Sequence, residues 1–219
     1  MVSEGGNGFI KKGTFTNEIV WGSYSYIFPC MNKKAQVNFK KGMFLFGMVR
    51  KDSRRYLKNN EIVLPKKYAQ IEYRKKLDEN LLGKIAGADL NHAYWRIAYK
   101  LGILSEQTYV KGLDERFKSV RLAALSTMGA SKKYQIVKDG KLTDETVTIK
   151  AARCDEGLQE VYVLIRLTCY KYMAKVKRLL GKDFLCYKTD AIYYIDTKEN
   201  RLMVRNFFRQ NDLLMKQLV

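Results

Sequence analysis

Residues 184–196, FLCYKTDAIYYID, decide the fold. Two runs rich in aromatic and β-branched residues stand on either side of a single acidic residue, Asp190. Such runs favour extended, pleated backbone, and the short interval between them leaves room only for a tight turn. The segment therefore predicts a hairpin that carries a carboxylate at its tip. Upstream, Ile85-Ala86-Gly87-Ala88-Asp89-Leu90 predicts a short buried strand ending at a second carboxylate, Asp89.

Helical spacing surrounds these strands. Tyr94, Ile97, Ala98 and Leu101 recur three and four residues apart, and Gly102 stops the run. Further helices are expected from Glu106 and from Leu113 through Ser126. A long one is expected over 158–180, with Val161, Leu164, Ile165, Thr168, Tyr172 and Val176 on its inner side and Gly181 as its cap. Residues 133–149 predict a hairpin turning at Asp139-Gly140. Residues 19–28 and 42–49 carry the composition of strands, 65–82 that of a helix with Pro65 in its first turn, and 204–218 reads as a closing amphipathic stretch. The fold class expected is α+β, an antiparallel sheet packed with helices.

The chain has 219 residues, 47% of them apolar, with 15 Tyr and 10 Phe, enough to bury one sizeable core. Its 41 Lys and Arg against 22 Asp and Glu leave a formal net charge of +19, which points to a polyanionic partner. Nucleic acid is the leading candidate, because each phosphate neutralised releases counterions. Basic clusters at Lys33-Lys34, Lys40-Lys41 and Arg54-Arg55 are the candidate backbone contacts. Cys30, Cys154, Cys169 and Cys186 form no CxxC pair, and with a single histidine they predict reduced thiols rather than a zinc site. No apolar run reaches the ~18 residues of a membrane span, and the first residues lack a signal-peptide core. The expectation is a cytoplasmic protein that is neither secreted nor membrane-bound.

Transfer of a nucleotidyl group uses two divalent cations about 3.5–4 Å apart, held by carboxylates on rigid elements. A strand end and a hairpin tip in one sheet supply that geometry, so Asp89 and Asp190 are the candidate catalytic and metal-binding residues, with Mg²⁺ or Mn²⁺ as cofactor. No phosphate-binding GxxxxGK loop or Ser/His/Asp set competes with them.

The segments around these carboxylates resemble a known family. Asp89-Leu90-Asn91-His92-Ala93-Tyr94 resembles motif A of family B DNA polymerases, closest to the protein-primed phage branch. Arg121 through Gly129 (RLAALSTMG) is similar to motif B, and Lys188-Thr189-Asp190-Ala191-Ile192 resembles motif C. The helix containing Arg166 and the strand-turn-strand between motifs B and C also resemble their counterparts. The resemblance covers roughly residues 85–200 in the right order. It implies a palm with short fingers over 85–219, preceded by a basic, strand-rich region over 1–84. It also implies that Asp89 and Asp190 bind metal, that the Leu90 carbonyl meets it, and that Tyr94 lies under the sugar of an incoming nucleoside triphosphate. Arg121, or Lys118 one helical turn earlier, would contact the triphosphate. DNA is the favoured nucleic acid.

Three departures bear on activity. Lys188 replaces the first motif C aspartate and opposes cation binding by charge repulsion. Leu125 and Met128 replace the asparagine and tyrosine of motif B. The intervals around the motifs leave no exonuclease, minimal fingers and almost no thumb, so a partner protein would supply the thumb. Two functions from different classes follow: a polymerase-like nucleotidyltransferase, or a non-catalytic palm-derived subunit of a viral replication or packaging assembly. A purely structural basic protein is a third reading, and it predicts that Asp89 and Asp190 lie far apart.

Overall fold

The structure is a computed structural model describing residues 7–12, 16–21, 24–29, 33–64, 81, 83–129, 132–138, 141–149 and 157–218. It is α+β, and the chain divides into two compact units. One comprises residues 1–50 and 111–159, the other 51–110 and 160–219.

The first unit holds a five-stranded antiparallel sheet. Strands β1 (Asn7–Lys12), β2 (Thr16–Trp21) and β3 (Tyr24–Pro29) precede helix α1 (Lys33–Gly42) and the start of α2 (Phe44–Asn59). The expected hairpin follows β4 (Ile85–Leu90) in the chain as β5 (Lys132–Lys138) and β6 (Lys141–Ile149); its turn at 139–140 lies outside the described residues. The strand order is β3-β2-β1-β5-β6.

Residues 42–49 are helical, a correction to the strand expected there. Leu45, Val49, Asp52 and Ser53 are all buried, a three- to four-residue period that strand-like composition concealed. The cations at Lys40, Lys41, Arg54 and Arg55 are therefore exposed on helices. The helix expected over 65–82 falls almost wholly outside the described residues. Where α1 ends, a Cβ at Gly42 would come within 2.8 Å of both Phe117 and Val120. We expect Gly42→Ala to cost about 1–3 kcal/mol through overpacking, read as a fall in the urea midpoint.

The second unit is built on a four-stranded antiparallel sheet in the order β7-β8-β4-β9, formed by β4 (Ile85–Leu90), β7 (Phe184–Lys188), β8 (Ala191–Ile195) and β9 (Met215–Leu218). Helices α3 (Ala93–Lys100) and α7 (Lys198–Gln210) belong to the same unit, as do most of α4 (Glu106–Gly112) and of α6 (Leu158–Leu180). Helix α6 spans the expected residues. Val161, Ile165 and Val176 are buried as expected, Leu164, Thr168 and Tyr172 only partly, and Cys169, Met173 and Leu180 complete the buried stripe. Among the described residues no helix is long and apolar enough to cross a membrane.

Local chemistry sets the ends of these helices. At the end of α3 the Gly102 N–H donates to the Tyr99 carbonyl at 2.9 Å and the Ile103 N–H to Ala98 at 3.0 Å. That paired closure needs positive φ, and Gly102 supplies it at 75°. The Thr197 hydroxyl caps α7 by accepting from the Asn200 N–H at 3.1 Å. The far end of α7 closes as α3 does, with the Leu213 N–H donating to the Phe208 carbonyl at 2.8 Å and Asp212 at φ 51°. Ion pairing stabilises this turn, since Arg96 meets the Asp212 carboxylate at 2.9 Å. The turn sends the chain back as β9, so the amphipathic stretch expected over 204–218 is the end of a helix followed by a strand.

Asp52 anchors α4. Its carboxylate accepts from the Ser105 N–H at 2.8 Å and from the Ser105 hydroxyl at 2.7 Å, while that hydroxyl in turn caps Thr108 at 3.3 Å. Burial pushes the Asp52 carboxyl up, but hydrogen bonds from Thr108 and Ser105, with the Arg55 charge, hold it below the ordinary aspartate range. A depressed folded value stabilises the fold above the unfolded carboxyl range, and that contribution is lost as pH falls through the folded value. Asp52→Ala should cost about 1.5–3 kcal/mol at neutral pH. Thermal melts should show the gap to wild type closing on acidification.

Candidate active site

The sheet of the second unit brings the two candidate carboxylates together. Asp89 pairs with Ala191 across β4 and β8, one residue beyond Asp190. The Leu90 N–H donates to the Asp190 carbonyl at 3.0 Å, tying the end of β4 to the hairpin tip. In that tip Thr189 takes φ 60°, the positive value that a two-residue hairpin loop demands at its first central position. This adjacency is opposite to what a purely structural basic protein predicts.

Electrostatics report the same closeness. Burial, and after it the charge of Asp89, pushes the Asp190 carboxyl above the ordinary range. A cation beside Asp190 would relieve the repulsion that Asp89 exerts on it, so the pair would suit a hard divalent ion. No group of three or more His, Cys, Asp or Glu that could hold a metal occurs among the described residues. An ion held by Asp89 and Asp190 would complete its shell with carbonyl, water and phosphate oxygens, a pattern typical of Mg²⁺.

Strand register sorts the side chains by face. Directly opposed residues of antiparallel strands share a face. Ala86, Ala88, Leu90, Ile192, Tyr194 and Tyr187 are buried on one face, where the ring of Tyr170 from α6 approaches Tyr187 at 6.3 Å. On the other face Lys188 opposes Ala191, Ala191 opposes Asp89, and Asp89 opposes Lys216, a single row across all four strands. Both lysines are exposed. The next row on that face runs Cys186, Tyr193, Gly87 and Leu218. Lys216 was not legible in the sequence as a neighbour of Asp89, because the pairing of β9 with β4 is non-local.

Beneath the hairpin tip lies a tyrosine cluster. The Cys169 thiol reaches the Thr189 carbonyl at 3.7 Å and is pushed up by burial and by the Asp190 charge. Tyr94, from the first turn of α3, meets Tyr162 edge-on at 6.5 Å. Its hydroxyl is also pushed up, first by burial and then by Tyr170 and Cys169. Arg166 lies over the rings of Tyr162 and Tyr170 at 5.8 and 5.7 Å and donates to the Tyr170 hydroxyl at 3.0 Å. Tyr94 is thus partly buried among neighbours that confine its ring. His92 begins α3 in the left-handed region, φ 55°, without a side-chain capping bond.

Of the remaining candidates, Lys33, Lys34, Lys40, Lys41, Lys118 and Arg121 belong to the first unit and Arg54 and Arg55 to the second; the side chains of Lys33 and Lys34 lie outside the described residues. Arg121, on helix α5 (Lys118–Ser126), is 1% exposed; its guanidinium donates to the Gly112 carbonyl and lies 3.6 Å from the Glu115 carboxylate. Lys118, in the first turn of the same helix, is exposed. Leu125 and Met128 are each 2% exposed, so the apolar replacements in the motif-B-like segment are core residues of their unit. Comparison with protein-family models, curated proteins and solved structures finds no match to this chain.

Proposed function

We propose that the chain is a polymerase-like nucleotidyltransferase acting on nucleic acid, of the palm type that its motifs resemble. The observation that carries this reading is the junction of Asp89 and Asp190, with the end of β4 hydrogen-bonded to the hairpin tip at 3.0 Å. Asp89 and Asp190 would hold Mg²⁺ or Mn²⁺, with the Leu90 carbonyl at the same strand end as a further oxygen. Bound ions would supply Lewis-acid activation of a 3′-hydroxyl and charge stabilisation of the leaving pyrophosphate. Tyr94, fixed by its aromatic neighbours, would lie under the sugar of the nucleoside triphosphate. Of the two cations on α5 proposed for phosphate, Lys118 has its side chain exposed, whereas Arg121 is engaged with the Gly112 carbonyl. Lys33, Lys34, Lys40, Lys41, Arg54 and Arg55 would contact the nucleic-acid backbone, DNA being favoured.

Primer extension with Mn²⁺, comparing wild type with Asp190→Asn, tests this function. Equal incorporation by both would remove the mechanism.

A specific observation favours a second reading. Lys216 directly opposes Asp89, a pairing that sets side chains only about 5 Å apart at Cβ, and Lys188 stands in the same row two strands away, two residues before Asp190. Two ammonium groups there compete with a divalent ion for the carboxylates. A chain that binds nucleic acid strongly yet incorporates nothing would be the non-catalytic, palm-derived subunit.

A further inference from the structure

The half-exposed face of the β7-β8-β4-β9 sheet carries a second feature beside the carboxylates. In the row next to Asp89, Gly87 opposes Tyr193 on one side and Leu218 on the other. A Cβ at Gly87 would come within 3.2 Å of two adjacent atoms of the Tyr193 ring and 3.1 Å of the Leu218 Cβ. The ring therefore lies across the strand in space that any larger residue would fill. Tyr193 remains partly accessible there, and Lys188 and Lys216 stand exposed at either end of the adjoining row.

We propose that this face is a binding platform for single-stranded nucleic acid, with Tyr193 as the surface on which a base stacks and Lys188 and Lys216 as contacts to the neighbouring phosphates. The inference rests on the nucleic-acid reading above but does not need catalysis. A ring that lies over Gly87 loses little freedom when a base settles on it, so it is preorganised for stacking. Flanking ammonium groups match a sugar-phosphate chain on both sides of the stacked base. A single strand is the favoured occupant because a duplex hides its base faces, whereas an unpaired base presents one. The same row gives Lys188 a use: a cation that weakens metal binding strengthens the hold on a strand passing Asp89.

The test is binding of a short fluorescent single strand, followed by anisotropy in EDTA without nucleotide, to the full chain and to Tyr193→Phe, Tyr193→Leu and Lys188→Gln/Lys216→Gln. A strand of equal charge carrying abasic residues is compared throughout. Tyr193→Leu should weaken binding roughly 5- to 100-fold, Tyr193→Phe should retain it, and the loss should disappear on the abasic strand. Removing both lysines should reduce the slope of log K against log salt by about 1.4. Unchanged binding by a folded Tyr193→Leu overturns the platform while leaving the nucleic-acid reading intact. So does equal affinity of the unaltered protein for abasic and normal strands, a comparison that needs no variant to fold. Failure of wild type to bind any strand at low salt overturns both, and equal competition by polyglutamate overturns the preference for a nucleic-acid occupant.

Discussion

Asp190→Asn is expected to lower Mn²⁺-dependent nucleotide incorporation by roughly 10³-fold or more, since a metal-binding carboxylate contributes several kcal/mol of transition-state stabilisation and each 1.36 kcal/mol is tenfold in rate. The same variant should melt above wild type in EDTA. Asp190 is partly buried beside Asp89, and both effects disfavour its charged form. Replacing the carboxylate with an amide removes a repulsion that the metal-free protein otherwise carries. Added Mn²⁺ should then raise the melting temperature of wild type and leave the variant nearly unmoved, by mass action on the folded state. Most substitutions destabilise, so a gain in stability coupled to a loss of activity is a specific signature. A variant that melts lower in EDTA and incorporates normally would contradict both halves of the expectation.

Arg121→Ala has the second largest expected effect, on stability rather than on catalysis. A hydrogen bond from a charged donor to a buried carbonyl contributes about 1.5–3 kcal/mol, and truncating the stem adds a packing loss. A total near 3 kcal/mol should appear as a lower urea midpoint with an unchanged slope. A residue engaged only with triphosphate would leave the midpoint in place and raise KM. Lys118→Ala is the contrasting variant: an exposed side chain should change stability by less than about 0.5 kcal/mol, and its effect should fall on triphosphate affinity.

The elements legible in the sequence are those whose evidence is local. Residues 184–195 show dense β-branched and aromatic composition around a turn too short for anything but a hairpin. Residues 158–180 sustain one helical period over many turns, and Gly102 marks a helix end because its positive φ is cheap only for glycine. Residues 42–49 misled for the converse reason. A short apolar run supports either period, and composition favoured the strand until burial of Leu45, Val49, Asp52 and Ser53 showed the helix. Arg121 likewise reads as a phosphate contact by motif position, whereas its burial depends on residues brought around it by folding.

By itself, then, the sequence determined that one carboxylate stands near a strand end and another at a hairpin tip, that a long helix precedes the hairpin, and that the chain carries a large positive charge. Spacing and charge are written one residue after another, and each of these properties is of that kind. The tertiary structure alone decided that Asp89 and Asp190 share a junction and that Lys188, Ala191, Asp89 and Lys216 form one row. It also decided that Tyr193 lies across Gly87. Those facts depend on register between strands far apart in sequence, and a shift of one residue would send every side chain to the opposite face. The closing of α7 at Asp212, which returns the chain as β9 beside β4, sets the last part of that register.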